Sequence, residues 1–180
     1  MGRRQGLRAI VVAITLLGLG GCGYSLAGRG SFLPEYIRVI GVPEFTNATT
    51  VFDVERRVSE RVRGELIGRG RYKIVATEKA AVDAVLTGAI SSITVVPVAF
   101  NQQQATRYVL VLTAAIEFKD LKTGKVLWGN PAMQFREEFE PTGGAVIADA
   151  SEFFGQDTNA LERIATEFGR SVVSALLEAF

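Results

Sequence analysis

The stretch TRYVLVLTAAIEFKD, residues 106–120, has the clearest pattern in this chain. Every second residue from Tyr108 to Phe118 is apolar or aromatic, whereas the positions between them include Glu117 and Lys119. Alternation of this kind places one set of side chains on a buried face of a sheet and the other set on the opposite face. Residues 106–120 are therefore predicted to form a strand with one face in the core.

Strands are also predicted on both sides of this segment. Downstream, DLKTGKVLW at residues 120–128 has a Thr-Gly turn between two apolar runs, which is typical of a hairpin. The hairpin leads into a strand over residues 125–140, in which Asn130-Pro131 predicts a bulge or an edge position, because proline has no N–H to donate. Upstream, residues 82–100 are rich in Val, Ile and Thr and predict another strand.

A first helix is predicted over residues 51–67. Its apolar residues recur at steps of four and are Val54, Val58, Val62 and Leu66. Thr50 and Asp53 have the spacing of a capping box, and Gly68 with Gly70 are suited to a left-handed cap at the C-terminus.

A second helix is predicted from Asn159 to the end of the chain, with Asn159 and Glu162 as its cap. Its apolar stripe comprises Leu161, Ile164, Phe168, Val172, Ala175, Leu176 and Ala179. A further strand is predicted over residues 36–45, and residues 71–75 predict only a short strand-like piece. Residues 141–157 have no clean period and predict a loop, with a helical turn inside it as the alternative.

The order of these elements predicts an α+β fold. Each helix has a single apolar stripe to bury, so both helices are expected to lie on a face of one sheet. The predicted architecture is a two-layer sandwich of two helices packed on a mostly antiparallel or mixed four-stranded sheet. In this arrangement the loops 101–105 and 141–157 lie at one end of the sheet, and the turn 121–124 lies at the other.

The first predicted helix is rich in arginine, and two interpretations remain open. The residues are Arg56, Arg57, Arg61 and Arg63. One interpretation is that they bind an anion such as a lipid phosphate. The second, which we favour, is that Arg56 with Glu60 and Arg61 with Glu65 form solvent-exposed ion pairs, because both pairs have the i,i+4 spacing.

The N-terminus has the features of a lipoprotein export signal. Three arginines within residues 1–8 precede an apolar segment at 9–19. That segment is too short to span a bilayer as a helix and has the length of a signal-peptide core. The following LGGC at 19–22 matches the bacterial lipobox, in which the cysteine, here Cys22, becomes the lipidated N-terminus.

Three parts of the chain are therefore predicted: a lipoprotein signal peptide at 1–21, a lipidated tether at 22–35 and a single α+β domain at 36–180. Stable anchoring needs more than one acyl chain, a condition that the diacylglycerol and N-acyl groups of such lipoproteins meet. Gly23 rather than aspartate follows the cysteine, which favours the outer membrane, with the domain anchored on the periplasmic side. The alternative is that Cys22 is an ordinary buried free cysteine.

Composition argues against several classes of function. The chain has 180 residues with 20 basic, 19 acidic and no histidine residues. Removal of residues 1–21 leaves 17 basic against 19 acidic residues, a net charge of −2, so no nucleic-acid partner is implied. Without histidine, and with Cys22 acylated, the mature chain has no imidazole base or thiol nucleophile. We therefore expect no enzyme activity, no metal and no cofactor.

An enzyme that works through carboxylates is the remaining catalytic alternative. Its candidates are Asp83, Glu117 and Asp149, and glycosidases require two such groups facing each other. The adjacent Glu137 and Glu138 do not qualify, because neighbouring residues of a strand point to opposite faces.

Several motifs follow one another along the mature chain. They are CGYSL directly after the lipobox, IRVIGVPEFTN in the first strand, the arginine-rich helix, the Thr-Gly hairpin that ends in Trp128, FREEF at 135–139 and the terminal amphipathic helix. In this order they resemble the LptE family of lipopolysaccharide-assembly lipoproteins. The resemblance implies two helices on a four-stranded sheet. It also implies a plug and assembly partner of the outer-membrane β-barrel LptD that binds lipopolysaccharide on its way to the outer leaflet, without catalysis.

The resemblance further implies a basic lipopolysaccharide site at one end of the sheet. The tip at residues 100–105, FNQQQA, has no cation, so the nearest candidates are Arg107 and Arg136, and Arg136 matches the Phe-Arg pair of the family. Charge-assisted bonds from arginine to phosphate are strong. The alternative is that both are surface arginines bonded to Glu138 or to solvent.

The lysines at the opposite end of the sheet, Lys119, Lys122 and Lys125, are expected to keep a hairpin soluble and are not assigned to the site.

A second kind of binding function stays open on the sequence. In that interpretation the protein is a different periplasm-facing lipoprotein that acts as a scaffold or activator, for example of a secretion pore or a cell-wall synthase. The identity of the partner separates this function from the LptD-like one.

Overall fold

The computed structural model describes residues 33–69, 71–77, 81–102, 104–141, 146–156 and 159–179. In this part of the chain there are six strands and three helices. The strands are β1 (Val39–Gly41), β2 (Thr46–Asn47), β3 (Lys73–Val75), β4 (Ala84–Asn101), β5 (Gln104–Asp120) and β6 (Val126–Phe139), and the helices are α1 (Val54–Gly68), α2 (Ala150–Gln156) and α3 (Ala160–Glu178). The predicted signal peptide and Cys22 lie outside the described residues.

The strands form one mixed sheet in the order β3-β1-β4-β5-β6, and β2 also pairs with β4. β1 runs parallel to β3 and β4, whereas β4, β5 and β6 are antiparallel neighbours. β2 continues along β4 where β1 stops, because Gly41 pairs with Val85 and Thr46 pairs with Ala89. Pro43 lies between these two short strands and cannot donate a ladder hydrogen bond.

β5 has the alternation that its sequence predicts. Its inward side chains are buried, and they are Tyr108, Leu110, Leu112, Ala114, Ile116 and Phe118. Asn130, next to Pro131, lies opposite Ile116, and the pairing register of β5 with β6 shifts there, so the predicted irregularity at Asn130-Pro131 is present on an edge strand.

Helices α1 and α3 pack side by side and run in the same direction. Arg57 and Arg69 of α1 contact Glu162 and Ser174 of α3, respectively. The predicted apolar stripe of α1 is buried, as is most of the stripe of α3. A Cβ atom on Gly169 would lie 3.1 Å from backbone atoms of α1, so glycine at this position permits the close approach of the two helices.

The predicted class, a two-layer α+β sandwich, is confirmed, but the counts of two helices and four strands are corrected. The predicted first strand is divided into β1 and β2, and the short piece at 71–75 joins the sheet as β3. The predicted loop 141–157 contains α2, because Ala150 and Phe153 are buried apolar residues one helical turn apart.

The capping hydrogen bonds predicted at the starts of α1 and α3 are absent from the described residues, whereas Gly70 of the predicted C-terminal cap lies outside them. Asp53 precedes α1 with φ of 70°, makes no capping hydrogen bond and instead binds Arg56. Gly68 remains helical and Arg69 follows in the right-handed region. Asn159 likewise makes no capping hydrogen bond at the start of α3. The arginine at 56 competes for the Asp53 carboxylate, and sequence spacing alone does not reveal this.

Candidate functional site

The sheet has one face covered by helices, which we call the inner face, and an open face, which we call the outer face. On β5 the outer face carries Arg107, Val109, Val111, Thr113, Ala115, Glu117 and Lys119, all exposed or half-buried. A shallow depression of about 670 Å³ lies on this face, lined by small residues that include Ala89, Ala115 and Gly129. The outer face is therefore the broad, uncovered surface of the described domain.

Arg107 lies on the outer face near the end of the sheet at the Gln102 turn, which we call the distal end. Its Nη2 atom donates to Glu140 Oε1 at 2.9 Å, and its Nη1 atom lies 3.9 Å from Glu138 Oε2. The predicted contact with Glu138 is present, but Glu140 is the nearer partner. Glu140 was not predicted as the partner, because the sequence pattern does not fix the register that places Phe139 opposite Tyr108.

Arg136, on β6, lies on the outer face of the sheet, as Arg107 does. Its partner is neutral, since its Nη2 atom donates to Gln134 Oε1 at 3.1 Å. It pairs with Val111, four residues along β5 from Arg107. At roughly 3.4 Å per residue, the two arginines are about 14 Å apart along the strand direction. The structure thus places both candidates on one face without bringing them into contact.

The distal end exposes an apolar rim that the sequence analysis missed. Val96, Val98 and Phe100 of β4 are 45%, 49% and 64% exposed. The predicted loop 101–105 is shorter than expected, because β4 extends to Asn101 and β5 begins at Gln104. The unbroken apolar run from 95 to 100 was the available signal, since a strand with one solvated face usually alternates.

An aromatic cluster supports the distal end from the inner face. Tyr108 stacks on Phe139 with ring centroids 5.6 Å apart. The ring of Phe139 also packs on that of Phe153 in α2, with centroids 4.0 Å apart. The backbone N–H of Ile147 donates to the Tyr108 hydroxyl at 3.1 Å. The segment that precedes α2 is thereby held against β5.

The opposite end of the sheet, which we call the basal end, has a polar cluster around Asp120. Its carboxylate accepts hydrogen bonds from the Tyr36 hydroxyl at 2.5 Å and the Thr123 hydroxyl at 2.6 Å. These bonds, that of Thr123 above all, lower the pKa of Asp120 to about 2. The same hydrogen bond to Asp120 raises the pKa of Tyr36.

The candidate carboxylates for catalysis are not brought together. Asp83 accepts the backbone N–H groups of Arg38 and Val39, Glu117 lies on the outer face, and Asp149 accepts the N–H of Glu152 at the start of α2. Among the described residues, no three acidic, cysteine or histidine side chains are arranged to hold a metal ion.

The arginines of α1 largely face carboxylates. Arg56 binds Glu60 as predicted, but Arg61 pairs with Glu162 of α3 rather than with Glu65. Arg57 also contacts Glu162. These pairs join the two helices. The solvent-exposed side of the helix layer is therefore an ordinary charged surface.

The described domain thus has the architecture of a two-layer α+β protein, with one sheet face covered by helices and the other open. The family model LptE, described as lipopolysaccharide-assembly, matches residues 37–176. The chain therefore belongs to the LptE family, and the resemblance seen in its motifs is confirmed.

Solved structures with similarity to this chain come from several bacteria. They include the hypothetical protein CT253 from Chlamydia trachomatis (TM-score 0.50, 10% identity, 78% of this chain and 95% of that chain), the PelC dodecamer from Paraburkholderia phytofirmans (0.49, 17%, 76% and 86%) and the rare lipoprotein B from Shewanella oneidensis (0.44, 16%, 74% and 96%). The likeness to CT253 shows a shared fold. No curated protein matches the sequence. Among the described helices, none is both long and apolar enough to cross a bilayer.

Proposed function

We propose that this protein is an outer-membrane lipoprotein, anchored through lipid on Cys22 with its domain on the periplasmic side. In this proposal it is the plug and assembly partner of an LptD-like β-barrel in lipopolysaccharide transport. The observation that carries the proposal is the open outer face of a domain that belongs to the LptE family. The protein acts by binding, without catalysis and without a cofactor.

The composition of the outer face supports contact with a protein partner. The centre of the face consists of small and β-branched residues such as Ala89, Thr113 and Ala115, and charged residues are few there. Depletion of charge at the centre distinguishes protein interfaces from the rest of a protein surface. The helix layer, by contrast, carries ion pairs such as Arg56–Glu60 and Arg170–Glu167.

The two outer-face arginines support contact with lipopolysaccharide. Among the residues that the structure describes, Arg136 has only the neutral Gln134 as its hydrogen-bond partner, so a phosphate group replaces a weak bond with a charge-assisted one. Arg107 must break its ion pair with Glu140 before it binds the ligand. The loss of that pair offsets part of the binding free energy. We therefore assign the larger share of phosphate binding to Arg136.

Partner capture tests the barrel proposal. The tagged, lipidated protein is extracted from its own outer membranes in detergent, and the proteins that remain bound at high salt are identified by mass spectrometry. Recovery of a large outer-membrane β-barrel at equal stoichiometry supports the proposal. Recovery of only periplasmic, secretion-pore or cell-wall proteins overturns it in favour of a scaffold or activator.

Binding of purified lipopolysaccharide tests the site residues. Because hydrogen bonds to charged groups contribute about 1.5–3 kcal/mol, Arg136→Gln is expected to weaken binding roughly tenfold or more, and Arg107→Gln less. Arg170→Gln, on the helix layer, is the matched control with the same loss of charge. Equal affinity of Arg136→Gln and the control would remove Arg136 from the site.

A further inference from the structure

The hairpin at the basal end, residues 119–126, combines positive charge with exposed apolar side chains, and we call it the basal hairpin. Its cations are Lys119, Lys122 and Lys125. Its exposed apolar residues are Leu121 at 43% and Val126 at 54%. Lysines that flank an exposed leucine are typical of surfaces that contact anionic membranes, because the apolar group enters the interface while the ammonium groups meet the headgroups.

Two carboxylates at this end, the buried Asp120 and the half-buried Asp83, accept hydrogen bonds from neighbouring groups. Asp120 is only 1% exposed, and its oxygens accept hydrogen bonds from Tyr36, Thr123 and the backbone of the turn. Asp83 accepts two backbone N–H groups of the chain just before β1, both at 2.9 Å. Glu35, next to Tyr36, and Glu117, two residues before Lys119 on the outer face, are exposed carboxylates that offset the lysines in part.

The basal hairpin is a fixed turn. The backbone N–H of Asp120 donates to the carbonyl of Lys125, and that of Gly124 donates to the carbonyl of Asp120, both at 2.9 Å. Gly124 has φ of 72°, which a residue with a side chain adopts at a cost. Leu121 donates to the carbonyl of Asp83 at 2.9 Å. The lysines therefore lie on an ordered turn, and the Lys122 ammonium group lies over the Tyr36 ring at 4.7 Å from its centroid.

The chain also enters the domain at the basal end. Leu33 lines a depression together with Arg71 and Tyr72, directly before β3, and the nearby Tyr36 binds Asp120. The chain from Cys22 to Leu33 reaches at most about 40 Å when fully extended. A lipid anchor at Cys22 therefore keeps the basal end within that distance of the bilayer.

We infer that the basal hairpin docks on the anionic phospholipid surface that holds the lipid anchor. Lys119, Lys122 and Lys125 meet the phosphate groups, and Leu121 enters the interface between headgroups and acyl chains. The docked hairpin holds the basal end of the domain at the periplasmic surface of the bilayer. The inference rests on the lipidation of Cys22 proposed above.

The test uses the mature lipidated protein in vesicles of phosphatidylethanolamine and phosphatidylglycerol at 3:1. A fluorophore on Val126→Cys reports contact with brominated lipid by quenching, and a fluorophore on Thr94→Cys, toward the distal end, is the matched control. Because Cys22 is acylated, each variant has one free thiol. Labelling of Cys22 itself, seen by mass spectrometry, would show that the anchor proposal has failed, separately from the docking proposal.

The expected result is quenching at position 126 and not at position 94, in phosphatidylglycerol vesicles and not in vesicles of phosphatidylcholine alone. At about fivefold per lysine, the triple variant K119Q/K122Q/K125Q lowers the ratio of docked to undocked hairpin roughly 100-fold. Three Lys→Arg changes at these positions preserve docking. The helix-layer variant R56Q/R61Q/R170Q, with the same loss of charge, is also expected to leave it unchanged.

Equal quenching at positions 126 and 94 would overturn the inference, as would quenching that survives the K119Q/K122Q/K125Q changes. Quenching that arises only after lipopolysaccharide is added would also overturn it, because the partner of the basal hairpin would then be the glycolipid. Circular dichroism of the triple Lys→Gln variant checks that its domain is folded. If that variant is unfolded, the triple Lys→Arg variant, which is expected to preserve quenching at position 126, supplies the second measurement.

Discussion

At the scale of single residues, a substitution at Gly88 tests how tightly the core is packed. A Cβ atom at this position would lie 2.3 Å from ring atoms of Phe45, which is 2% exposed. The ring has no free space to enter, so Gly88→Ala is expected to destabilise the domain by about 1–3 kcal/mol, as overpacking does. Chemical denaturation measures the change.

Gly64 provides the matched control for this prediction. It lies in the exposed middle of α1, and a Cβ atom there meets nothing within 4 Å. Because alanine favours the helix over glycine, Gly64→Ala is expected to raise the free energy of unfolding by up to about 1 kcal/mol. Equal effects of the two substitutions would contradict the tight packing of Phe45 on Gly88.

Asp120 makes a prediction about pH. Its pKa is about 2 in the folded protein and near 3.9 in an unfolded chain, so the unfolded state binds more protons between those values. The stability that Asp120 contributes is therefore present above about pH 4 and is lost as the pH falls toward about 2. Asp120→Asn should be less stable at neutral pH and show a flatter decline over this acid range in thermal melts. Tyr36→Phe should be intermediate, and parallel curves for all three proteins would contradict this role.

At the scale of elements, the Tyr108 hydroxyl fixes the segment 146–156 on the sheet. Tyr108→Phe leaves the buried N–H of Ile147 without its partner, a loss of about 1–3 kcal/mol. We expect amide exchange of residues 147–156 to accelerate roughly tenfold, while the β5 amides keep their protection. Tyr72→Phe makes the same chemical change away from this segment. Unchanged exchange in Tyr108→Phe would show that aromatic packing alone holds α2.

The elements that repeat a simple pattern were predictable from the sequence, and those that depend on distant partners were not. The alternation in β5 and the stripe of α1 each follow from burial of one face, which leaves a periodic trace. The predicted capping box of Thr50 and Asp53 does not form, because α1 begins only at Val54 and the Asp53 carboxylate binds Arg56 and Arg57. Of helix α2 only a single turn was anticipated, as an alternative within the loop, because one turn of apolar residues in a segment of 17 gives no clear period and its packing partner Phe139 is contributed by β6.

At the scale of the whole molecule, the approximate position of the candidate arginines was predictable, but their spacing and partners were not. The sequence predicts that Arg107 and Arg136 lie toward the same end of the sheet, whereas the structure places Arg107 near the distal end and Arg136 opposite Val111, four residues along β5. Their separation and the Arg107–Glu140 pair depend on the register and the strand ends, which periodicity leaves open by several residues. The exposure of Phe100 likewise depends on how far β4 extends beyond the helix layer.

The last prediction compares the outer face of the sheet with the helix layer. If the outer face meets the barrel partner, a lysine at its centre should weaken the complex, because the charge must be desolvated without a partner. Ala89→Lys places that charge in the outer depression, whereas Gly64→Lys adds the same charge to the helix layer in open space. Capture of the barrel should fall about tenfold or more for Ala89→Lys alone, with both variants as thermally stable as the parent protein. The opposite result, loss of capture only for Gly64→Lys, would move the interface to the helix layer and leave the outer face free for lipopolysaccharide.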